Sequence, residues 1–564
     1  MADNAERQRC EVLVVGAGPV GLTMALLLRQ LGHSVVVVES RPGVQTAPAA
    51  HVINARTFEV FRSLELDMDE IDRLCQRPED GNAVRWVKSL GEPELGNVPF
   101  EGLHDEDFAK RFTPHPLRNL SQHRLEPLLN LAVGDVLFST AWRGVTNNGD
   151  VNVSQLEDLN TGEPFTIESR FVIGADGARS SVRRALGIAM DGPDEIENFL
   201  SVHVEANLRE LVGSQPATLY FITDPATQGT FIAHDLDNAW VYMTRLEAAS
   251  AREVSDAEAE RMVRLAGKIP AEIPVVVRHI SSWRMTCQVA SRYRSGACFL
   301  VGDAAHRFPP TGGLGLNSGI HDAQNLAWKL SAVLRGQAEE VLLDTYENER
   351  RQVAEHSAAV SLDNAFRLIE VWMALEVTDD PVASQENIDR VLSSVEGRSA
   401  VADAIANQAE HFDQLGIQLG TAYGQDGGAV VSDGTVAPQP ENPVRTYVPS
   451  TVPGVRLPHL EVTRGDKVIS TLDLVRPGRF AVLTASRHWA SAAKELGTSL
   501  DVCLLGQDVA LDLDHWCDLS GLCATGAILV RPDGHVAWRT QVNPSDGAAQ
   551  LRAVFRQLNV GVPQ

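Results

Sequence analysis

Positive charge, paired cysteines and long apolar runs are all scarce in this sequence. The 49 Lys and Arg are outnumbered by 74 Asp and Glu, a net charge of −25. That balance argues against a broad grip on nucleic acid or on an anionic membrane surface. The seven cysteines, Cys10, Cys75, Cys287, Cys298, Cys503, Cys517 and Cys523, are scattered, with no CxxC pair and no histidine at zinc-ligand spacing. Neither a dithiol centre nor a metal site is expected, and reduced thiols suit a cytoplasmic protein. No segment offers about 18 uninterrupted apolar residues, so no membrane span is expected. The uncharged stretch from Val12 to Leu28 is broken by Gly16, Gly18, Pro19 and Gly21, which suits strand, turn and helix better than a signal peptide.

What is present is the composition of a folded globular chain, 44% hydrophobic and 22% charged. Its 564 residues leave room for several domains of roughly 150 residues each. Glu11 to Val15 reads as a strand, Val20 to Leu31 as a helix and Ser34 to Val38 as a second strand, which makes a βαβ unit. Its turn is Gly16-Ala17-Gly18-Pro19-Val20-Gly21. Gly16 allows the tight turn, Gly18 lets backbone approach a diphosphate, and Gly21 lets helix pack on strand. Glu39, with Ser40 and Arg41 after it, ends the second strand, where a carboxylate accepts ribose hydroxyls and repels a 2′-phosphate. That favours FAD or NAD over NADP at this turn.

Two further segments follow strands. Asp176-Gly177 lies in Ala175 to Arg183, behind Phe171 to Ile173, and Gly302-Asp303-Ala304-Ala305-His306 lies behind Ala297 to Val301. The second continues through Pro309-Pro310-Thr311-Gly312-Gly313-Leu314-Gly315-Leu316-Asn317 into a helix expected from Asn317 to Arg335. Asp303 can fix a polyol, and the loop from Pro310 to Asn317 brings backbone amides and a helix N-terminus to a planar ring whose reduced form is anionic. Between them, Asn198 to Leu246 alternates as strands. Six prolines between Pro438 and Pro458 mark a linker, and the remainder reads as βαβ, ββ, α.

Together these residues resemble the single-component FAD-dependent aromatic hydroxylases of the para-hydroxybenzoate hydroxylase fold. Further matches are Asn54 to Glu59, Ser121 to Glu126, Asp322 to Leu330 and Tyr346 to Arg351. The ending Gly526 to Arg539 resembles the branch with a C-terminal thioredoxin-like domain, shared by phenol hydroxylases and hydroxylases of polyketides. The implied fold class is α/β and α+β: a Rossmann-like FAD-binding domain over 1–190 and 285–370, an inserted antiparallel β-sheet substrate domain over 191–284, a helical segment and Pro-rich linker over 371–445, and a thioredoxin-like domain over 446–564. Where that domain's CxxC would stand, Thr484 to Trp489 carries no cysteine, which leaves packing or a homodimer interface as its role.

The resemblance implies bound FAD, with Arg56 and Gln122 touching it, and NADPH or NADH and O2 as visitors, since no second GxGxxG occurs. A mobile flavin would be reduced, form a C4a-hydroperoxide and hydroxylate a phenolic ring. In phenol- and hydroxybiphenyl-type relatives a histidine at the position of His51 deprotonates the substrate, although a lone loop histidine can also merely bond backbone. A base is useful because a phenol with a pKa near 10 is only about a thousandth ionised at neutral pH. The inserted sheet would roof the pocket, with Tyr220, Phe221, Phe231, Trp240 and Met243 as possible lining and Pro309 beneath. Strand alternation admits only some of these. Small phenols and polycyclic substrates stay open, as do Baeyer-Villiger insertion, epoxidation and a flavin-bound scaffold. The WxWxIP segment of flavin halogenases is absent.

Overall fold

Val12 to Val15 and Val35 to Val38 are apolar without alternation, the pattern of strands covered on both faces. In the computed structural model they are adjacent parallel strands of a mixed seven-stranded sheet. The structure describes residues 8–561 except 82, 100–105, 150, 247–253, 425–426, 499, 523–524 and 544, so Cys523 lies outside the described residues. Strand β1 (Gln8–Val15) pairs in parallel with β2 (Val35–Val38) on one side and with Pro164–Gly174 on the other, in the registers Val12↔Val35 and Leu13↔Val172. Cys298–Leu300 adds a further parallel strand. Helix α1 (Pro19–Gln30) and the helix Leu314–Leu334 pack against each other on this sheet. The latter begins three residues earlier than the sequence suggests, because Gly313 adopts φ +63° and turns Leu314, Gly315 and Leu316 into the first helical turn.

The second sheet has seven strands, in the order Val276–Met285, Glu197–Glu205, Ala239–Arg245, Gly229–Asp235, Leu219–Ile222, Ala83–Val87, Glu94–Pro99. It is therefore not confined to 191–284. Ala83–Val87 pairs in parallel with Leu219–Ile222, so two strands come from the first part of the chain. One face packs on the helix Asp256–Gly267, and there Tyr220, Phe231 and Trp240 are almost wholly buried beside Val202 and Val263. These three residues are core, a correction to their reading as pocket lining. Alternation turns Ile232, His234, Val241 and Met243 to the opposite face. Phe221 stacks on Trp86 at 5.0 Å under the helices Pro381–Ser393 and Val395–Ala406. The helix Asp344–Ala374 runs without a break through residue 370, so no boundary falls there.

The C-terminal sheet has the order Asp501–Leu504, Ala481–Thr484, Ala527–Val530, Val536–Thr540, the first pair parallel and the rest antiparallel. Val482 and Leu529 share a core with the helices Arg487–Lys494 and Gly547–Gln557, while Leu483 and Ile528 face Trp516 of Leu513–Ser520, a helix that sequence reading left out. Trp328 inserts from Leu314–Leu334 into the first of these cores. Around it, buried Glu349 accepts hydrogen bonds from Lys329 at 2.8 Å and from Arg531 at 2.7 Å. Removing one partner from such a network would strand a charge at a cost of about 3–5 kcal/mol. Among the described residues no helix is long and apolar enough to cross a membrane.

Candidate active site

A cavity of about 1970 Å³ runs between the two large sheets. Drug-sized ligands occupy roughly 300–1,000 Å³, so this space suits a dinucleotide and a second molecule together. At one end stands the turn before α1. Gly16 has φ +109°, and a Cβ there would sit 2.3 Å from the Ala175 carbonyl oxygen. At Gly21 it would sit 2.0 Å from the Gly16 carbonyl oxygen. Those two glycines are demanded by packing. Gly18 is different: it is extended, and a Cβ there would meet nothing within 4 Å. It is also the N-cap of α1, with no side-chain cap and no acidic residue in the first turn.

The same is true where the helix Leu314–Leu334 begins. Its N-cap is Gly313, no side chain caps it, and Gly315 has open space at its missing Cβ. Two uncapped helix N-termini, with Gly18, Pro19 and Val20 on one and Gly313, Gly315 and Leu316 on the other, line one cavity. Their free N–H groups and positive dipole ends form an anion cradle that fits the diphosphate and the ring of FAD. Gln122, Gly177, Asp303, Pro309 and Pro310 complete the wall. Asp303 opens onto the cavity but is walled in by protein. That desolvation pushes its pKa above the ordinary carboxylate value, against the charges of His306 and Arg307.

Glu39 lies at the end of β2 and does not line the cavity. Burial would raise its pKa, but hydrogen bonds from the Arg41 side chain and from the Arg41 and Ala17 N–H groups hold it below the ordinary value. Its oxygens accept Ala17 N–H at 2.8 Å and Arg41 N–H at 2.9 Å, and Ser40 Oγ lies 3.2 Å away. The Arg41 guanidinium bridges Glu39 and Glu126, 3.3 and 3.0 Å away.

Four other residues expected at the cofactor serve the scaffold. Asp176 caps the helix Ser181–Ala185, accepting from Ser181 N–H at 2.6 Å and from its hydroxyl at 2.7 Å. Asn317 accepts from Asn54 N–H and Thr57 and donates to the Val52 and Gly313 carbonyls, which uses its whole amide to clamp the loop. Gly302, at φ +61°, lets the strand end pack on Val20. Arg56 points away from the cavity: its guanidinium donates to Glu59 at 3.0 Å and to the Asp533 carbonyl, so it joins α2 (Ala55–Ser63) to the C-terminal sheet. Sequence reading also missed the fasteners of the motifs. Arg183 donates to the Ala304 and Ala178 carbonyls, both at 2.9 Å, tying the two segments after the strands together. Fully buried Asp322 accepts from Gly302 N–H at 3.1 Å, from His306 Nε2 at 2.8 Å and from Arg350 at 2.8 Å.

His51 lines the cavity. Its Nδ1 lies 2.9 Å from Asn119 Oδ1, and the Asn119 amide nitrogen donates to Gln76 and to the Ala233 carbonyl. The amide orientation is thereby fixed, so Nδ1 carries the proton and Nε2 is left as an acceptor. Burial pushes the pKa of His51 down to about 4, with the Asn119 hydrogen bond opposing it. The imidazole is neutral near pH 7. His234, from the Gly229–Asp235 strand, stands edge-on to it at 5.3 Å between ring centroids.

A dinucleotide turn, a second helix N-terminus for a ring system and an oriented neutral base around one cavity define a flavoprotein oxidoreductase. Comparison with known proteins narrows the class. Residues 9–361 match the FAD binding domain family, and residues 450–559 match the family described as aromatic-ring hydroxylase, C-terminal. The chain is 32% identical to 2,4-dichlorophenol 6-monooxygenase of Delftia acidovorans over 99% of both proteins. It is also 32% identical to tetracenomycin A2 monooxygenase-dioxygenase of Streptomyces glaucescens, over 97% of this chain and 96% of that one. The solved structure of the flavin-dependent monooxygenase PieE, in complex with FAD and substrate, superposes with a TM-score of 0.90 at 33% identity, covering 98% of this chain and 99% of the other. The chain belongs to the FAD-dependent aromatic-ring monooxygenases.

Proposed function

We propose that this monooxygenase hydroxylates a phenolic ring held between the second sheet and the loop Pro309 to Leu316, with His51 as the base. The observation that carries the reading is the Asn119-fixed tautomer, which presents an unprotonated Nε2 to the cavity shared by both helix N-termini. Bound FAD would take two electrons from NAD(P)H and supply activated oxygen to the ring. The residues do the rest. Gly18 and its neighbours anchor the diphosphate, and the Gly313 to Leu316 turn steadies negative charge on the ring system. His51 accepts the hydroxyl proton, so that the ring reacts as an electron-rich phenolate, a contribution of roughly 10² to 10⁴ in rate. The phenolate's own charge offsets the desolvation that holds the imidazole neutral.

A polycyclic ring system is favoured over a single small phenol by the apolar wall that Ile232, Val241 and Met243 make on the cavity face of the sheet. The nicotinamide visits and leaves, consistent with the single glycine-rich turn. We place the enzyme in the cytoplasm and read the C-terminal sandwich as a thioredoxin-like domain kept for packing. Buried Cys287, Cys298 and Cys503, whose thiol pKa values are raised by burial, support reduced, inert thiols.

The test is a panel of phenols from monocyclic to polyketide-sized, scored for NAD(P)H consumption and for hydroxylated product by mass. Coupled hydroxylation of the larger members is expected. Hydrogen peroxide as the sole product across the panel would refute the reading, and lactone or epoxide products would redirect it to other oxygenations.

A further inference from the structure

The wall around His51 has an unusual hydrogen-bond balance. Asn119 spends its oxygen on His51 and its nitrogen on Gln76 and Ala233. The Gln76 oxygen accepts from Asn119 and Thr218, and its nitrogen donates to the Asp80 carbonyl. The Thr218 hydroxyl also lies 3.2 Å from the Gly81 carbonyl. These groups are committed to one another. His234 is not: it is 3% exposed, lines the cavity, and neither ring nitrogen has a protein hydrogen-bond partner among the described residues.

An imidazole buried so deeply without partners carries an uncompensated desolvation penalty for each unmet group. Its position has a clear origin. Along Gly229–Asp235, Phe231 and Ala233 enter the core under the helix Asp256–Gly267, so Ile232 and His234 must face the cavity. That face is mixed, with apolar Ile232 and Val241 beside polar Thr230 and His203. Its rings meet His51 at 5.3 Å and His123 at 6.3 Å, and His123 is already bonded through Nδ1 to Ser121 at 2.6 Å. Burial, with the neighbouring His51, His123, His203 and Arg124, keeps His234 neutral. It therefore holds one unpartnered N–H donor and one unpartnered lone pair, both covered in this orientation of the ring, beside the single lone pair of His51 Nε2.

We infer that His51 and His234 form a two-point clamp for an aromatic ring bearing two oxygens, a hydroxyl donated to His51 and a second hydroxyl or carbonyl on alternate ring carbons bound by His234. His234 is then the residue that selects 1,3-dioxygenated rings over plain phenols. The inference rests on the hydroxylase reading, and extends it from ring class to substitution pattern.

Two probes separate the possibilities: 1-naphthol and 1,3-dihydroxynaphthalene, titrated into oxidised FAD-loaded enzyme and followed by the flavin absorbance change. The wild type should bind the dihydroxy compound roughly tenfold more tightly, the worth of one additional buried hydrogen bond. His234→Leu should abolish that preference while leaving 1-naphthol affinity equal or improved. His234→Gln, which keeps a donor and an acceptor, should restore most of it. Flavin content and melting temperature of each variant identify any that misfolds, and the Gln variant then carries the comparison. Equal affinities in the wild type, or a preference that survives in the Leu variant, would mean an imidazole held only by water and would overturn the clamp. Hydroxylated product from both compounds with no binding preference would sink the clamp alone. A preference without product from any phenol would sink the hydroxylase reading and leave the clamp standing.

Discussion

Replacing Gly18 with Ala should separate folding from cofactor binding. Gly18 has φ −75° and ψ 176°, a conformation alanine adopts freely, and its Cβ would project into open cavity with nothing within 4 Å. The apoprotein should lose no stability, and the smaller entropy of the unfolded chain should add about 0.4–1 kcal/mol. In the FAD-loaded protein the methyl group would occupy the space into which a diphosphate must settle against the N–H groups of α1. Each charge-assisted hydrogen bond lengthened or lost there is worth about 1.5–3 kcal/mol, so FAD affinity should fall on the order of ten- to a hundredfold. Gly21→Ala gives the contrast. Its Cβ would stand 2.0 Å from the Gly16 carbonyl oxygen, so the turn must open and apoprotein stability must fall. Flavin fluorescence titration and thermal melts with and without FAD measure both quantities. Gly18→Ala protein that binds FAD like wild type, or whose apoprotein melts well below it, would refute the assignment of this turn as the diphosphate cradle.

Three further outcomes are expected. His51→Ala should retain full flavin content and slow hydroxylation by roughly 10² to 10⁴, most strongly below the phenol's own pKa; an unchanged pH–rate profile would remove His51 from the chemistry. Burial lowers the pKa of His51 and His123 to about 4 and of His411 and His535 to about 3, so between those values and the unfolded value near 6.5 the unfolded chain binds more protons. Stability should therefore rise with pH through that window, and the apoprotein melting temperature should drop as pH is lowered from 7 toward 4; a flat profile would contradict it. Arg56→Ala should keep FAD bound but lower the melting temperature and expose the linker around 438–458 to proteolysis, because Arg56 bonds Glu59 and Asp533 and not the cavity; loss of flavin with unaltered stability would reverse that assignment.

The first βαβ unit was legible because its signals are local. Uninterrupted valines need two covered faces, and the glycines at 16, 18 and 21 and the carboxylate at 39 stand at the spacing of one strand–turn–helix–strand unit, although the Ala175 carbonyl that demands a glycine at 16 comes from another strand. The GD loop and its helix were legible in kind, but their start shifted because Gly313 adopts a left-handed conformation that composition does not show. Motif position also failed to separate residues that face the cavity from residues that hold the residues that do. Asp176, Asn317 and Arg56 stand where cofactor ligands are expected, and each is consumed by a partner brought to it by folding: Ser181, Val52 and Asp533.

The inserted sheet shows the same division. Alternation announced strands, but the sequence could not say which alternate set was inward, because Tyr220, Phe231 and Trp240 and the set Ile232, His234, Val241 and Met243 are both rich enough in apolar residues to be buried. The helix Asp256–Gly267 claimed the first set, and the FAD-binding half closed over the second. Sequence alone determined a diphosphate-binding turn and a family of chemistry. Only tertiary structure gave His51 a fixed tautomer through Asn119, 68 residues away, and set an unpaired His234 beside it, since hydrogen-bond satisfaction is a property of neighbours in space.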